Sequence, residues 1–246
     1  MLDGVNPVQG SIIPRNAAAP AETHASTPDE VVAILDVLKR AKDLEERQKL
    51  QAQTAIALMF FAGLRPGEAR GATWENYDGK ALSVKPSVWR KHTTDPKTAS
   101  AAKPVPVIEP LRELIAELQV AEDKPDSGPI LRGVMGKPLS LDMLAGVVIR
   151  PALRNRANYR NGQSKDWRRL QWQGYYALRR GIATQLNTIT HDPMAAKGLL
   201  RHSSVPASTQ PLRTTSNPCP KSQQTAWRKL NSYSAQQGRQ YSKQLG

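Results

Sequence analysis

What most constrains the fold of this chain is a succession of helical patterns interrupted by a single stretch of alternation. "STPDEVVAILDVLKRAK" contains a complete helix start, with Thr27 as N-cap, Pro28 at the first helical position and Glu30 three residues past the cap. Val31, Ile34, Leu35 and Leu38 then fall on one face. A second helix over about 48–62 carries "IALMFF", and Gly63 is placed to end it. Further helical patterns run over 109–121, 140–150, 175–188 and 193–200. Between the second and third long helices, a turn at Asp78-Gly79 leads into a strand with Leu82, Val84 and Val88 on alternate positions. "KPVPVI" at 103–108 reads as its partner, and the two prolines confine it to a short or edge pairing. The expected fold class is mainly α with a small antiparallel β-sheet (α+β).

Composition divides the chain into three parts. Residues 1–26, rich in Pro, Ala and small polar residues, read as a linker or extended arm, and 27–210 as a folded domain. Residues 211–246 contain no Asp or Glu and are dominated by Ser, Gln, Lys and Arg, which predicts a disordered basic tail. The whole chain carries 35 Lys and Arg against 21 Asp and Glu, a formal net charge of +14, and such a balance favours a polyanionic partner, above all nucleic acid. The single Cys219 rules out an internal disulfide framework and any multi-cysteine metal site. No apolar run approaches the roughly 18 residues of a membrane span, and "MLDGVNPVQGSIIPR" lacks the features of a signal peptide, so the expectation is a cytoplasmic protein with no membrane partner.

Four short stretches hold residues suited to chemistry. In "FFAGLRPGEARGATWENYD" a buried helix ends at Gly63, Leu64 tucks back, and Arg65 starts the next turn with Glu68 near enough to orient its guanidinium. In "YYALRRGIATQL" Leu178, Ile182 and Leu186 make the buried face, and the adjacent Arg179 and Arg180 point about 100° apart, one inward to a site and one outward to solvent or a DNA backbone. "LLRHSSVPASTQ" sets His202 after an apolar helix end, and "DPKTASAAKPVPV" has Lys97 near a turn tip and Lys103 before the next strand. Each taken alone also has an ordinary structural reading: a loop ion pair, a basic helix face, a structural histidine, solvated lysines.

Their order and spacing over roughly 27–210 resemble the catalytic domain of the tyrosine recombinases, the phage-type integrase family. "GLRPGEARGATWENYD" looks like that family's first-arginine motif, "PKTASAAKPVPV" like its lysine hairpin, "YYALRRGIATQL" like its second box and "LLRHSSV" like its third-box histidine. The resemblance implies DNA strand exchange through a covalent phosphotyrosine, without metal or cofactor, by a bacterial or phage-derived protein acting on double-stranded DNA as a homo-oligomer. Arg65 and Arg179 would stabilise the charge that builds on the attacked phosphate, Lys97 would protonate the leaving oxygen, and His202 would hydrogen-bond the same phosphate. Arg65, Lys97, Arg179, Arg180 and His202 are then also the expected DNA contacts. Arg179, serving phosphate, is expected to be replaceable by alanine without harm to the fold.

The chain departs from the family pattern in three places. Where the second box normally starts with histidine, this sequence has Tyr176, a hydrogen-bond donor that does not titrate near neutrality. The nucleophilic tyrosine is expected shortly after His202, yet "SSVPASTQPLRTT" contains none, and the next is Tyr233 in the tail. Two readings stand: Tyr233 reaches the site by looping back or from a neighbouring subunit, or a frameshift near Gln210 has replaced the family's acidic C-terminal helix. Finally, "NPVQGSIIP…AETHASTPDEV" looks like the linker that follows an N-terminal DNA-gripping domain, so this chain is expected to grip DNA by one face only, with steep salt dependence. A catalytically dead DNA-binding remnant is the alternative to an active enzyme.

Overall fold

The computed structural model describes residues 23–84, 87–89, 92–94, 104–155 and 170–201. Helix α1 (Pro28–Arg40) begins as its sequence dictates: the Glu30 amide donates to Thr27 Oγ1 (3.2 Å) and the Thr27 amide to Glu30 Oε2 (2.8 Å), the reciprocal capping box. Its buried face is Val31, Ile34, Val37 and Leu38, with Leu35 only partly buried against the core.

Helix α2 (Glu46–Phe60) is the axis of the fold. From Leu50 to Phe60 every residue is buried, polar ones included, which marks a helix enclosed on all sides rather than one lying on a surface. It packs against α1, α4 (Glu109–Ala121) and α7 (Tyr175–Thr190). Burying Gln51, Gln53 and Thr54 demands partners for their polar atoms. Gln53 Nε2 donates to the Leu35 carbonyl (3.0 Å). Gln51 Nε2 donates to Glu122 Oε1 (3.0 Å) and to the Arg132 carbonyl (2.6 Å), and Arg47 Nε reaches the same Glu122 oxygen (2.6 Å).

The helix ends two residues before the expected 62, with Phe61 as its C-cap, and the chain then turns at Gly63. Gly63 adopts φ +60 and the Leu64 amide folds back to the Leu58 carbonyl (3.2 Å). A short helix α3 (Pro66–Arg70) follows, then a single 3-10 turn at Trp74–Asn76. The Asp78-Gly79 turn closes with Asp78 Oδ1 accepting from the amides of Lys80 (2.8 Å) and Ala81 (2.6 Å).

The β-structure differs in detail from expectation. The anticipated strand divides into β1 (Ala81–Leu82) and β2 (Ser87–Trp89), and β2 forms its own antiparallel hairpin with β3 (His92–Thr94), Val88 opposite Thr93. Only β1 pairs with β4 (Val105–Pro106), Leu82 opposite Val105. Pro86 lies between the two halves, and a residue without an amide hydrogen is a poor member of a continuous ladder.

The expected helix at 140–150 extends further and changes pitch. It comprises α5 (Leu141–Met143), a π-helical stretch at Leu144–Ile149 and α6 (Arg150–Arg154). Pro151 cannot donate a hydrogen bond, and its ring would crowd the carbonyl four residues back in a regular α-helix. The wider turn accommodates it, with the Arg150 amide bonding the Ala145 carbonyl. Helix α7 starts after Gly174, anchored by Tyr175, whose hydroxyl donates to the Leu141 carbonyl (2.9 Å) and whose ring meets Trp172 edge-on. Helix α8 (Pro193–Leu200) packs on α7.

Helix α8 also presses on the turn after α2. A Cβ at Gly63 would lie 3.3 Å from Leu199 Cγ and 3.4 Å from Leu200 Cδ2, on a backbone conformation that disfavours any L side chain. Gly63→Ala is accordingly expected to lower stability by about 1–2 kcal/mol, from the left-handed conformation alone, read as a lower urea midpoint at unchanged slope.

A candidate phosphate-binding cluster of arginines

Arg65 occupies the N-cap of α3 with Pro66 behind it in the first turn, and Glu68 reaches back from the third position. Glu68 Oε2 accepts from the Arg65 amide (2.8 Å) and Glu68 Oε1 from Arg65 Nη1 (2.9 Å), so one carboxylate holds both the backbone and the guanidinium. The arrangement expected from the sequence is present. The Glu68 side chain is 8% exposed and that of Arg65 40% exposed, which leaves Arg65 at the open side of the pair.

A second cation meets Glu68 from the far end of the domain. Arg201 Nη2 donates to Glu68 Oε2 at 2.6 Å, and the Arg201 side chain is only 4% exposed. Sequence reasoning passed over Arg201 in favour of its neighbour His202. The available signal was an arginine at the last position of an apolar helix, where the chain must turn. Arg201 makes that turn at φ +53, capping α8 with its amide on the Gly198 carbonyl (3.1 Å).

Arg179 completes the cluster. It projects from the buried face of α7, 6% exposed, and donates through Nη1 to the Gly63 carbonyl and through Nη2 to the Leu200 carbonyl (2.7 Å). It therefore ties the ends of α2 and α8 to α7. This corrects the expectation that Arg179 can be replaced by alanine without harm to the fold, because two buried carbonyls depend on it.

Burial, then the nearby Arg65 and, less strongly, Arg201, bring the Arg179 pKa down to about 10, while Glu68 and Tyr176 oppose the shift. Arg201 is likewise lowered, burial first, with Glu68 opposing. Because this folded value lies below that of a free guanidinium, the charged form costs stability at every pH below about 10, and the cost is relieved as pH rises beyond that. An anion placed among these groups relieves it at neutral pH.

The remaining expected residues divide into two groups. Tyr176 sits one turn before Arg179 on α7 and is 59% exposed. Arg180, a 100° step round the helix, donates from Nε to the His24 carbonyl (2.9 Å), so it engages the incoming arm. Ser26 lies across the same helix, its amide on the Ala177 carbonyl (3.0 Å), and a Cβ at Gly181 would collide with the Ser26 carbonyl. Lys97, Lys103, His202 and Tyr233 lie outside the described residues, as do 1–22 of the expected arm and the tail. Strand β2, in the segment leading to Lys97, packs on α3.

No protein-family model and no curated protein matches the sequence. Solved structures do. The Tn1549 transposon integrase in complex with transposon right end DNA superposes with a TM-score of 0.57 at 18% identity, over 77% of this chain and 61% of that one. The same integrase in complex with circular intermediate DNA gives 0.57 at 17% identity, over 75% and 61%. The chain shares its fold with part of the Tn1549 integrase. This chain thus spans about three fifths of the length of the integrase structures it matches. Among the described residues no helix is long and apolar enough to cross a membrane.

Glu68 is the neutralising centre of the cluster. Glu68→Gln removes the carboxylate from among three guanidinium groups, and breaking a buried ion pair from one side costs about 3–5 kcal/mol. The variant is expected to unfold at markedly lower urea concentration than Arg65→Ala, whose side chain is partly exposed.

Proposed function

We propose that this domain binds double-stranded DNA and performs site-specific recombination by cleaving and rejoining a strand through a phosphotyrosine. The observation that supports this best is the convergence of Arg65 and Arg179, from distant parts of the chain, on one carboxylate-buttressed cluster in an integrase fold. A phosphodiester under attack accumulates charge on its non-bridging oxygens, and fixed guanidinium forks stabilise that charge without reorganising. Among the described residues three guanidinium groups gather at the Glu68 carboxylate, a concentration of positive charge that suits an incoming phosphate.

In this reading Arg65, at the open side of the cluster, contacts the scissile phosphate, Arg179 adds its positive charge from the buried side, and Tyr176, exposed one turn before Arg179, donates a hydrogen bond to the phosphate. Lys97 protonates the leaving oxygen and His202, next after Arg201, hydrogen-bonds the phosphate. The net charge of +14 supplies the non-specific grip on DNA, with Arg180 and Lys97 contributing. Copies of the chain assemble on DNA to exchange strands.

A second reading is favoured by the sequence after His202, where no tyrosine occurs before Tyr233. In it the domain occupies recombination sites without cutting them. A nicked duplex whose cleavage product diffuses away separates the two: the enzyme accumulates a covalent protein–DNA adduct, whereas the remnant gives a salt-sensitive gel shift and no adduct. Where an adduct forms, Tyr233→Phe identifies or eliminates Tyr233 as its attachment point. Arg65→Ala is then expected to slow adduct formation by about 100-fold or more, the usual effect of removing one transition-state donor, with the urea midpoint little changed. Duplex affinity itself is expected to fall steeply between about 50 and 200 mM salt.

A further inference from the structure

Arg201 stands out among the buried groups because three unusual features coincide in it. It takes a left-handed backbone conformation, φ +53, that side chains other than glycine rarely adopt. Its guanidinium is buried in a cluster that already contains two other arginines. It also spans 133 residues of sequence to reach its partner, Glu68. A conformation and a burial that are both unfavourable persist only where the contact they make compensates for them.

The contact is specific. Glu68 Oε2 is shared between Arg201 Nη2 (2.6 Å) and the Arg65 amide (2.8 Å), leaving Oε1 directed at Arg65 Nη1 (2.9 Å). Arg201 is 4% exposed and so does not itself present a surface to DNA, whereas Arg65 is 40% exposed and does. One end of the carboxylate is therefore held from within the domain and the other end aims the outward arginine. We infer that Arg201 is a positioning residue that acts through Glu68 to fix the guanidinium of Arg65 for phosphate. The inference rests on the DNA-binding reading of the cluster, and it assigns the turn at the end of α8 a role in the first-arginine site.

The test has one arm in the free protein and one on DNA. In the free protein, nitrogen-15 exchange NMR reads rotation of the Arg65 guanidinium about its Nε–Cζ bond. Arg201→Gly, which suits the left-handed backbone, and Arg201→Gln are both expected to speed that rotation by about fivefold, and Arg201→Lys, which restores a cation to Glu68, to return it most of the way to wild type. Unchanged rotation in the neutral variants overturns the inference. Should both neutral variants lose their native near-ultraviolet circular dichroism, Arg201 is a folding residue and the inference is likewise overturned.

On duplex DNA at fixed salt, Arg201→Gly is expected to weaken binding about tenfold when Arg65 is present and by less than about twofold in an Arg65→Ala background. Equal weakening in both backgrounds means that Arg201 acts on DNA directly or through bulk charge, against the inference. If the wild-type protein binds no duplex DNA, the recombinase reading fails, and the relay from Arg201 to Arg65 is decided by the rotation measurement alone.

Discussion

The carboxylate of Glu68 sits where three guanidinium groups converge, and the arrangement of the site depends on it. Buried arginines are tolerable only with compensating charge and hydrogen bonds, since desolvation alone penalises each of them. Glu68 bonds directly to Arg65 and Arg201 and acts on Arg179 through its charge. Through these contacts it fastens the start of α3 to the end of α8, while Arg179 fastens both neighbouring chain turns to α7 by their carbonyls. Fold and site are not separable here, because the groups that would meet a phosphate also close the domain.

The cluster can be preorganised because the scaffold under it is stiff. Helix α2 is enclosed on every side, and its polar side chains are spent on fixed partners rather than water. A second buried carboxylate, Glu122, accepts from Arg47 and Arg132 and joins α2 to the end of α4 and the loop beyond. Gly63, crowded by Leu199 and Leu200, sets where α2 hands over to α3. An arginine supported in this way would lose little entropy on meeting an anion.

Much of this was legible in the sequence where the determining interactions are local. Thr27 and Glu30 specify a helix start three residues apart, Gly63 a left-handed turn, and Arg65 with Glu68 an ion pair across one helical turn. The apolar face of Leu178, Ile182 and Leu186 implied that one of Arg179 and Arg180 points inward, and burial identifies it as Arg179. Where prolines intervened the reading was coarser: Pro86 separates what looked like one strand, and Pro151 is absorbed by a π-helical stretch that no apolar periodicity announces.

The sequence by itself determined the approximate positions of the long helices, the Thr27 cap, the strong positive charge and the motif order that resembles a tyrosine recombinase, since each of these depends on neighbours within a few positions or on composition. Only the tertiary structure decided that Arg201 shares Glu68 with Arg65, that Arg179 braces two chain turns, and that Arg180 and Gly181 receive the incoming arm at His24 and Ser26. Those pairings join residues far apart along the chain. Their selection rests on burial and charge balance in three dimensions, and neither can be evaluated until the helices have packed.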